Sequence, residues 1–175
     1  MISKVRYELY LVLTKGDTYE GRVVVDFHLS DKNLGDLYLD YHGQAIAQLV
    51  VNNVKIKKVN IQFSKHKVVI PRYNLKSNSL NRVSLKFTNK YVTNSAGFHR
   101  YVDPQDDEVY LYTHLEPFFC NRWFPCFDQP SIRAPLQLNV VTPDEKWQVV
   151  GNDVISQSIP VGSAIGKSLC KQGGI

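Results

Sequence analysis

In Tyr19-Glu20-Gly21-Arg22-Val23-Val24-Val25-Asp26-Phe27-His28-Leu29, the residues Tyr19, Gly21, Val23, Val25, Phe27 and Leu29 share one parity, while Glu20, Arg22, Asp26 and His28 hold the other. Successive side chains of a strand point to opposite faces, so this alternation predicts a strand with one face in a core and one in water. Upstream, Tyr7, Leu9, Leu11 and Leu13 repeat the period. The same pattern predicts strands at 37–41, 45–51, 60–63, 67–70 and 82–88, then at 108–113, 135–142 and 147–150. Turn-forming pieces separate them: Asp31-Lys32-Asn33-Leu34-Gly35, His42-Gly43, Asn52-Asn53 and Ser77-Asn78-Ser79, with Pro104, Pro117, Pro125, Pro130 and Pro143 in the later connections. No apolar i, i+3, i+4, i+7 pattern runs far enough for a long helix, and residues 116–122 have room for a turn or two at most. The expectation is an all-β domain, mostly antiparallel, built as a sandwich or saddle.

With 175 residues, 43% of them hydrophobic and 11% aromatic, the chain has enough material for one packed domain, which excludes a disordered class. No stretch approaches the roughly 18 apolar residues of a membrane helix, and the short apolar piece at 9–13 is flanked by charge, so neither a signal peptide nor a membrane span is expected. Cysteines number three (Cys120, Cys126 and Cys170), and no Asn-x-Ser/Thr acceptor occurs. That usage fits a reducing setting, cytoplasmic or otherwise intracellular, not secreted.

Charge is uneven. Residues 51–90 hold ten Lys or Arg and no Asp or Glu, within a net charge of +5. The cations interleave with Val54, Ile56, Val59, Ile61 and Phe63, as the outward positions of strands do. Solvated strand faces are the first reading, and an acidic partner surface or RNA the second.

The densest chemistry lies at 110–130, with seven aromatics, Tyr110, Tyr112, Phe118, Phe119, Trp123, Phe124 and Phe127. Cys120 and Cys126 are too widely spaced for a metal clip and have no second ligand pair, so they read as buried free thiols. His114 and Glu116 stand two apart, which on a strand puts them on one side. From residue types alone they are a surface pair, or a carboxylate placed to bind a cation or act as a base.

The runs Gly97-Phe98-His99-Arg100-Tyr101-Val102-Asp103-Pro104, Tyr112-Thr113-His114-Leu115-Glu116-Pro117 and Arg122-Trp123-Phe124-Pro125-Cys126-Phe127-Asp128-Gln129-Pro130, in that order, resemble the amino-terminal domain of the aminopeptidase N family of zinc exopeptidases. Leu37-Tyr38-Leu39-Asp40-Tyr41 and Val50-Val51-Asn52-Asn53 resemble its early strands, so the likeness covers about residues 5–152. The resemblance implies a saddle-shaped β domain that closes one side of the cleft of a neighbouring catalytic domain. It also implies that Glu116, at the last position of the family's Thr-Gln-x-Glu/Gln segment, helps bind the free α-amine of a peptide. The family's usual Gln is His114 here, and Phe119-Cys120-Asn121-Arg122 replaces its Asp-Ala-Arg-Arg. The Phe-Pro-Cys-Phe-Asp run is structural in the family, which makes Asp128 a turn or capping residue.

Zinc chemistry in that family needs H-E-x-x-H, and none of His28, His42, His66, His99 or His114 is followed by Glu. Gly-x-Met-Glu-Asn is missing too, since Met1 is the only methionine. The expectations are therefore no catalytic residue, no metal ligand and no cofactor in this chain, with zinc implied only for a catalytic domain elsewhere. Residues 1–152 are expected as the β domain and 153–175 as a divergent, flexible tail, of a truncated product, an alternative splice form or one piece of a split protein. Function then depends on a protein partner: a catalytic portion, for which Glu116 reads the peptide amine, or a larger assembly in which the domain is a non-catalytic scaffold. Nucleic-acid binding through the basic strip is the weaker alternative.

Overall fold

The computed structural model describes the backbone of residues 1–30, 35–153, 155–161 and 164–174, and side chains only as far as residue 153. Alternating burial carries the long strands: β1 (Ile2–Val12), β2 (Thr18–Leu29) and β8 (Ser79–Lys90) each point Leu, Val, Phe or Tyr inward at every second position over most of their length. Between β2 and β8 lie β3 (Leu37–Asp40), β4 (Ala45–Val51), β5 (Val54–Ile56), β6 (Phe63–Ser64) and β7 (Lys67–Ile70). After β8 come β9 (Gly97–Val102), β10 (Val109–His114), β11 (Pro135–Val141), β12 (Ile155–Val161) and β13 (Ala164–Gly174). The all-β expectation holds.

Among the described residues one eight-stranded sheet runs in the order β12-β13-β11-β1-β2-β8-β4-β5, beside a three-stranded sheet β3-β7-β6 and the hairpin β9–β10. Among the described strands pairing is antiparallel except between β1 and β11, and an isolated parallel bridge joins Val92 to His99. Positive φ at Asn52 and Asn53, and again at Lys65 and His66, gives the two tight hairpins β4–β5 and β6–β7 the twist that flanking strands need.

The core lies under the inner face of the large sheet. Tyr7 packs edge-on to Phe124 at 5.6 Å and Phe27 to Phe127 at 5.3 Å, so the loop after β10 closes over β1 and β2. Each such ring contributes about 1.5–3 kcal/mol by leaving water. Asn81 is fully buried yet satisfied: its Oδ1 accepts from Asn52 Nδ2 and the Lys76 N–H, and its Nδ2 donates to the Lys76 and Ser79 carbonyls.

Several elements differ from the sequence expectation. The piece at 60–63 is not a strand, because a 3-10 turn over Lys58–Asn60 precedes the short β6. Residues 147–150 take no strand pairing, and β9, inside a signature run, is an added strand. The sheet continues past residue 152: β13 pairs with β11, and β12 with β13, supplying ladder partners to what would be an open edge. The turn expected at 31–35 falls almost wholly outside the described residues, as do the side chains of the tail, Cys170 among them.

Candidate functional site

Strand β10 ends at His114, where the ladder with β9 sets it opposite Gly97. Gly97 holds φ +106, and a Cβ there would come within 2.7 Å of Arg122 Cβ, so only glycine lets Arg122 lie against this end of the hairpin. Arg122 closes the 3-10 turn Cys120–Arg122 and sets its guanidinium 4.8 Å from the Phe119 ring centroid.

Two histidines grip the loop before β9. The Ser95 N–H donates to His99 Nδ1 at 3.0 Å, and His114 Nδ1 lies 2.7 Å from the Ser95 carbonyl oxygen. A carbonyl only accepts, so His114 carries its proton on Nδ1, and a neutral ring leaves Nε2 as an acceptor. By the same reasoning His99 keeps Nδ1 bare.

Glu116 does not follow β10 as a strand residue. The chain turns immediately after His114, because Pro117 has no N–H to extend a ladder, and the Phe119 N–H closes the turn on the Leu115 carbonyl at 2.8 Å. Strand parity therefore does not relate Glu116 to His114. Both side chains are exposed, and Glu116 has no hydrogen bond or ion pair among the described residues. A carboxylate on a braced turn with no internal partner is available to an external cation. Phe118 is exposed on the same turn, and hairpin β9–β10 exposes Tyr112 and, nearer its tip, the paired Tyr101 and Tyr110. The seven aromatics at 110–130 thus divide: Trp123, Phe124 and Phe127 enter the core, Tyr110, Tyr112 and Phe118 face out, and Phe119 is half-buried under the Arg122 guanidinium.

The stretch after the turn is structural. Asp40 and Cys126 exchange backbone hydrogen bonds of 2.8 and 3.1 Å, and the Phe127 N–H donates to the Tyr7 hydroxyl at 2.9 Å. Asp128 accepts from the Asn121 N–H at 3.0 Å and from Asn121 Nδ2 at 2.5 Å, which ties it back to the 3-10 turn Cys120–Arg122, though it is not that turn's N-cap residue. Asp128's own N–H donates to Asp40 Oδ2 at 3.3 Å, while burial pushes the Asp40 carboxyl above the usual carboxylate range. Cys120 and Cys126 are buried free thiols; burial, and then its hydrogen bond to Cys120, push the Cys126 thiol well up.

The basic residues of 51–90 spread over several elements. Arg82 grips Asp26 through Nε and Nη2, both at 2.7 Å, Lys67 sits 3.8 Å from the Tyr38 ring centroid, and Arg82, Lys86 and Lys90 occupy the exposed alternate positions of β8. Among the described residues no three His, Cys, Asp or Glu side chains gather as a metal site, and no helix is long and apolar enough to cross a membrane. Ser95, which fixes the His114 ring, carried no sequence signal beyond its place in a short polar loop.

The saddle of paired strands carries an exposed carboxylate, Glu116, just past the end of one hairpin. The Peptidase M1 N-terminal domain family matches residues 3–163. Aminopeptidase N of Streptomyces lividans is 30% identical over 149 residues, covering 83% of this chain and 17% of that protein. The alanine/arginine aminopeptidase of Saccharomyces cerevisiae is 26% identical over 155 residues, with 83% and 18% covered. Among solved structures, an M1 zinc metallopeptidase of Deinococcus radiodurans bound to a Tyr-Ser-Ala substrate superposes with TM-score 0.80 at 14% identity, over 98% of this chain and 39% of that one. Legionella pneumophila aminopeptidase A, in complex with aspartic acid, gives 0.79 at 17% identity, over 98% and 20%. The chain belongs to the Peptidase M1 N-terminal domain family. It spans about one sixth of the length of these curated relatives.

Proposed function

We propose that this domain works as the amino-terminal part of a zinc aminopeptidase, joined to a catalytic portion and contributing Glu116 to recognition of the free α-amine of a peptide. The observation that carries the reading is the exposed, internally unpartnered Glu116 carboxylate on a turn braced by the Phe119–Leu115 hydrogen bond. A carboxylate next to an ammonium forms a charge-assisted hydrogen bond, and a peptide with a blocked amino terminus forfeits it. His114 stands beside this role, its tautomer held by Ser95. Aromatic exposure at Phe118 on that turn, and at Tyr101, Tyr110 and Tyr112 along hairpin β9–β10, supports docking of a protein surface on this hairpin.

In the complete aminopeptidase, Glu116→Gln is expected to raise the Michaelis constant for free-amine peptides by about 10- to 100-fold, the loss of one charged hydrogen bond. An unchanged constant removes Glu116 from the substrate site. The same aromatic face also supports a second reading, a non-catalytic interaction subunit, which expects a stable assembly without peptidase activity. Nucleic-acid binding is the least supported alternative, because the cations are dispersed and Arg82 is already paired with Asp26; it would require affinity that falls steeply with salt. Buried reduced thiols at Cys120 and Cys126 support an intracellular setting.

A further inference from the structure

Three segments distant in sequence are fastened around one small pocket. The His42 N–H donates to the Asn121 carbonyl at 2.8 Å, and Asn89 Nδ2 donates to the Arg122 carbonyl at 2.8 Å, so the turn after β3 and the end of β8 are both tied to the 3-10 turn Cys120–Arg122. The loop after β8 is held in turn by β9, through the Val92 N–H on the Phe98 carbonyl at 2.8 Å. Between these segments lies a pocket of about 350 Å³ lined by His42, Lys90, Asn94 and Arg122, with Tyr91 and Val92 in its wall. Glu116 does not line it, so the site is independent of the amine-binding role proposed above.

The polar groups of this pocket are donors without counterions. No Asp or Glu lines it. The half-buried Arg122 guanidinium lies over the Phe119 ring but, like the exposed Lys90 ammonium, makes no side-chain hydrogen bond or ion pair among the described residues. Asn94 gives its Oδ1 to the Ala96 N–H at 3.4 Å and leaves its Nδ2 open. His42 stacks on His66, and burial, then His66, then the Arg122 charge hold its imidazole below the ordinary value. A guanidinium cannot shed its charge as an imidazole can, and once partly withdrawn from water it favours an anion at close range. Concave walls focus the fields of the cations that line them.

We infer that this pocket binds a phosphate group, with the Arg122 guanidinium and the Lys90 ammonium meeting its oxygens and Asn94 Nδ2 as a neutral donor. Two fixed positive charges balance a doubly charged oxyanion, whereas a carboxylate would leave one of them uncompensated. His42, also in the lining, is the neighbour whose ring resonances report occupancy.

The test uses the 175-residue chain at slightly alkaline pH and constant ionic strength, with inorganic phosphate as probe, phenyl phosphate as an organic monoester and acetate as the singly charged control. Phosphate is expected to saturate one site by titration calorimetry and to move the His42 ring proton resonances, with acetate about tenfold weaker. Lys90→Gln is expected to weaken phosphate about fivefold and Arg122→Gln about tenfold. Lys86→Gln, which removes an equal charge from the same exposed row of β8 but outside the pocket, is expected to leave it unchanged. Tighter binding of phenyl phosphate than of phosphate assigns the site to phosphate monoesters, and equal or weaker binding assigns it to the free ion. Absence of saturable binding, acetate binding as well as phosphate, unmoved His42 resonances on saturation, or equal losses in Lys86→Gln and Lys90→Gln overturns the inference. Should Arg122→Gln fail to fold, the two exposed lysine variants and the His42 resonances decide alone.

Discussion

Gly97 and His42 show how single residues are shaped by their packing near Arg122. At Gly97 the backbone lies at φ +106 and Arg122 occupies the space a side chain would need, so Gly97→Ala combines backbone strain with a clash. It is expected to lower stability by about 1–3 kcal/mol, seen as a lower urea midpoint, and an unchanged midpoint would place Arg122 elsewhere. His42 stacks on His66 at 3.7 Å between ring centroids. Burial first, then His66 and then Arg122 hold the His42 imidazole below its ordinary 6.5. The folded chain therefore binds fewer protons here than the unfolded one, so this contribution to stability is complete above 6.5 and falls as pH drops towards the depressed value. His42→Gln is expected to flatten the stability profile in that window, read from urea midpoints at neutral and mildly acidic pH; an unaltered profile would deny the effect. Sequence made Glu116 and His114 visible through the motif that contains them, but it could not show Ser95 fixing the His114 ring or Arg122 lying over Gly97. Those contacts join segments that only the folded hairpin brings together.

Strands with one wet face were plain in the chain, because alternation over a dozen residues leaves few other structures: β2 and β8 appear nearly as expected. Short elements were less so, since two or three residues cannot display a period, and β6 and the turn at Lys58–Asn60 exchanged places with an expected strand. Strand pairing was the least legible property, and the parallel contact of β1 with β11 depends on everything between them. The loop around Phe127 anchors this arrangement. Its N–H donates to the Tyr7 hydroxyl at 2.9 Å inside the core, tying the loop to β1. Tyr7→Phe would keep the ring and leave that N–H unpaired, at an expected cost of about 1–3 kcal/mol. Equilibrium denaturation checks it, and a neutral substitution would mean that water or another acceptor takes over.

At the scale of the whole molecule the chain is an all-β member of the M1 N-terminal domain family, and it is the proposed function that sets it beside a catalytic portion. The relatives carry the equivalent region within proteins of which it covers about one sixth. Under the proposed function, the exposed Glu116 carboxylate and the exposed aromatic residues of hairpin β9–β10 act only when a catalytic portion meets them. The most direct test is the native mass of the endogenous protein in a gentle lysate, with the chain identified by peptides containing Tyr7 to Leu13, followed by a peptidase assay on the same fraction. The account predicts a mass well above 20.0 kDa, with aminopeptidase activity that a zinc chelator abolishes. A species that runs alone near 20.0 kDa and cleaves no peptide would contradict it.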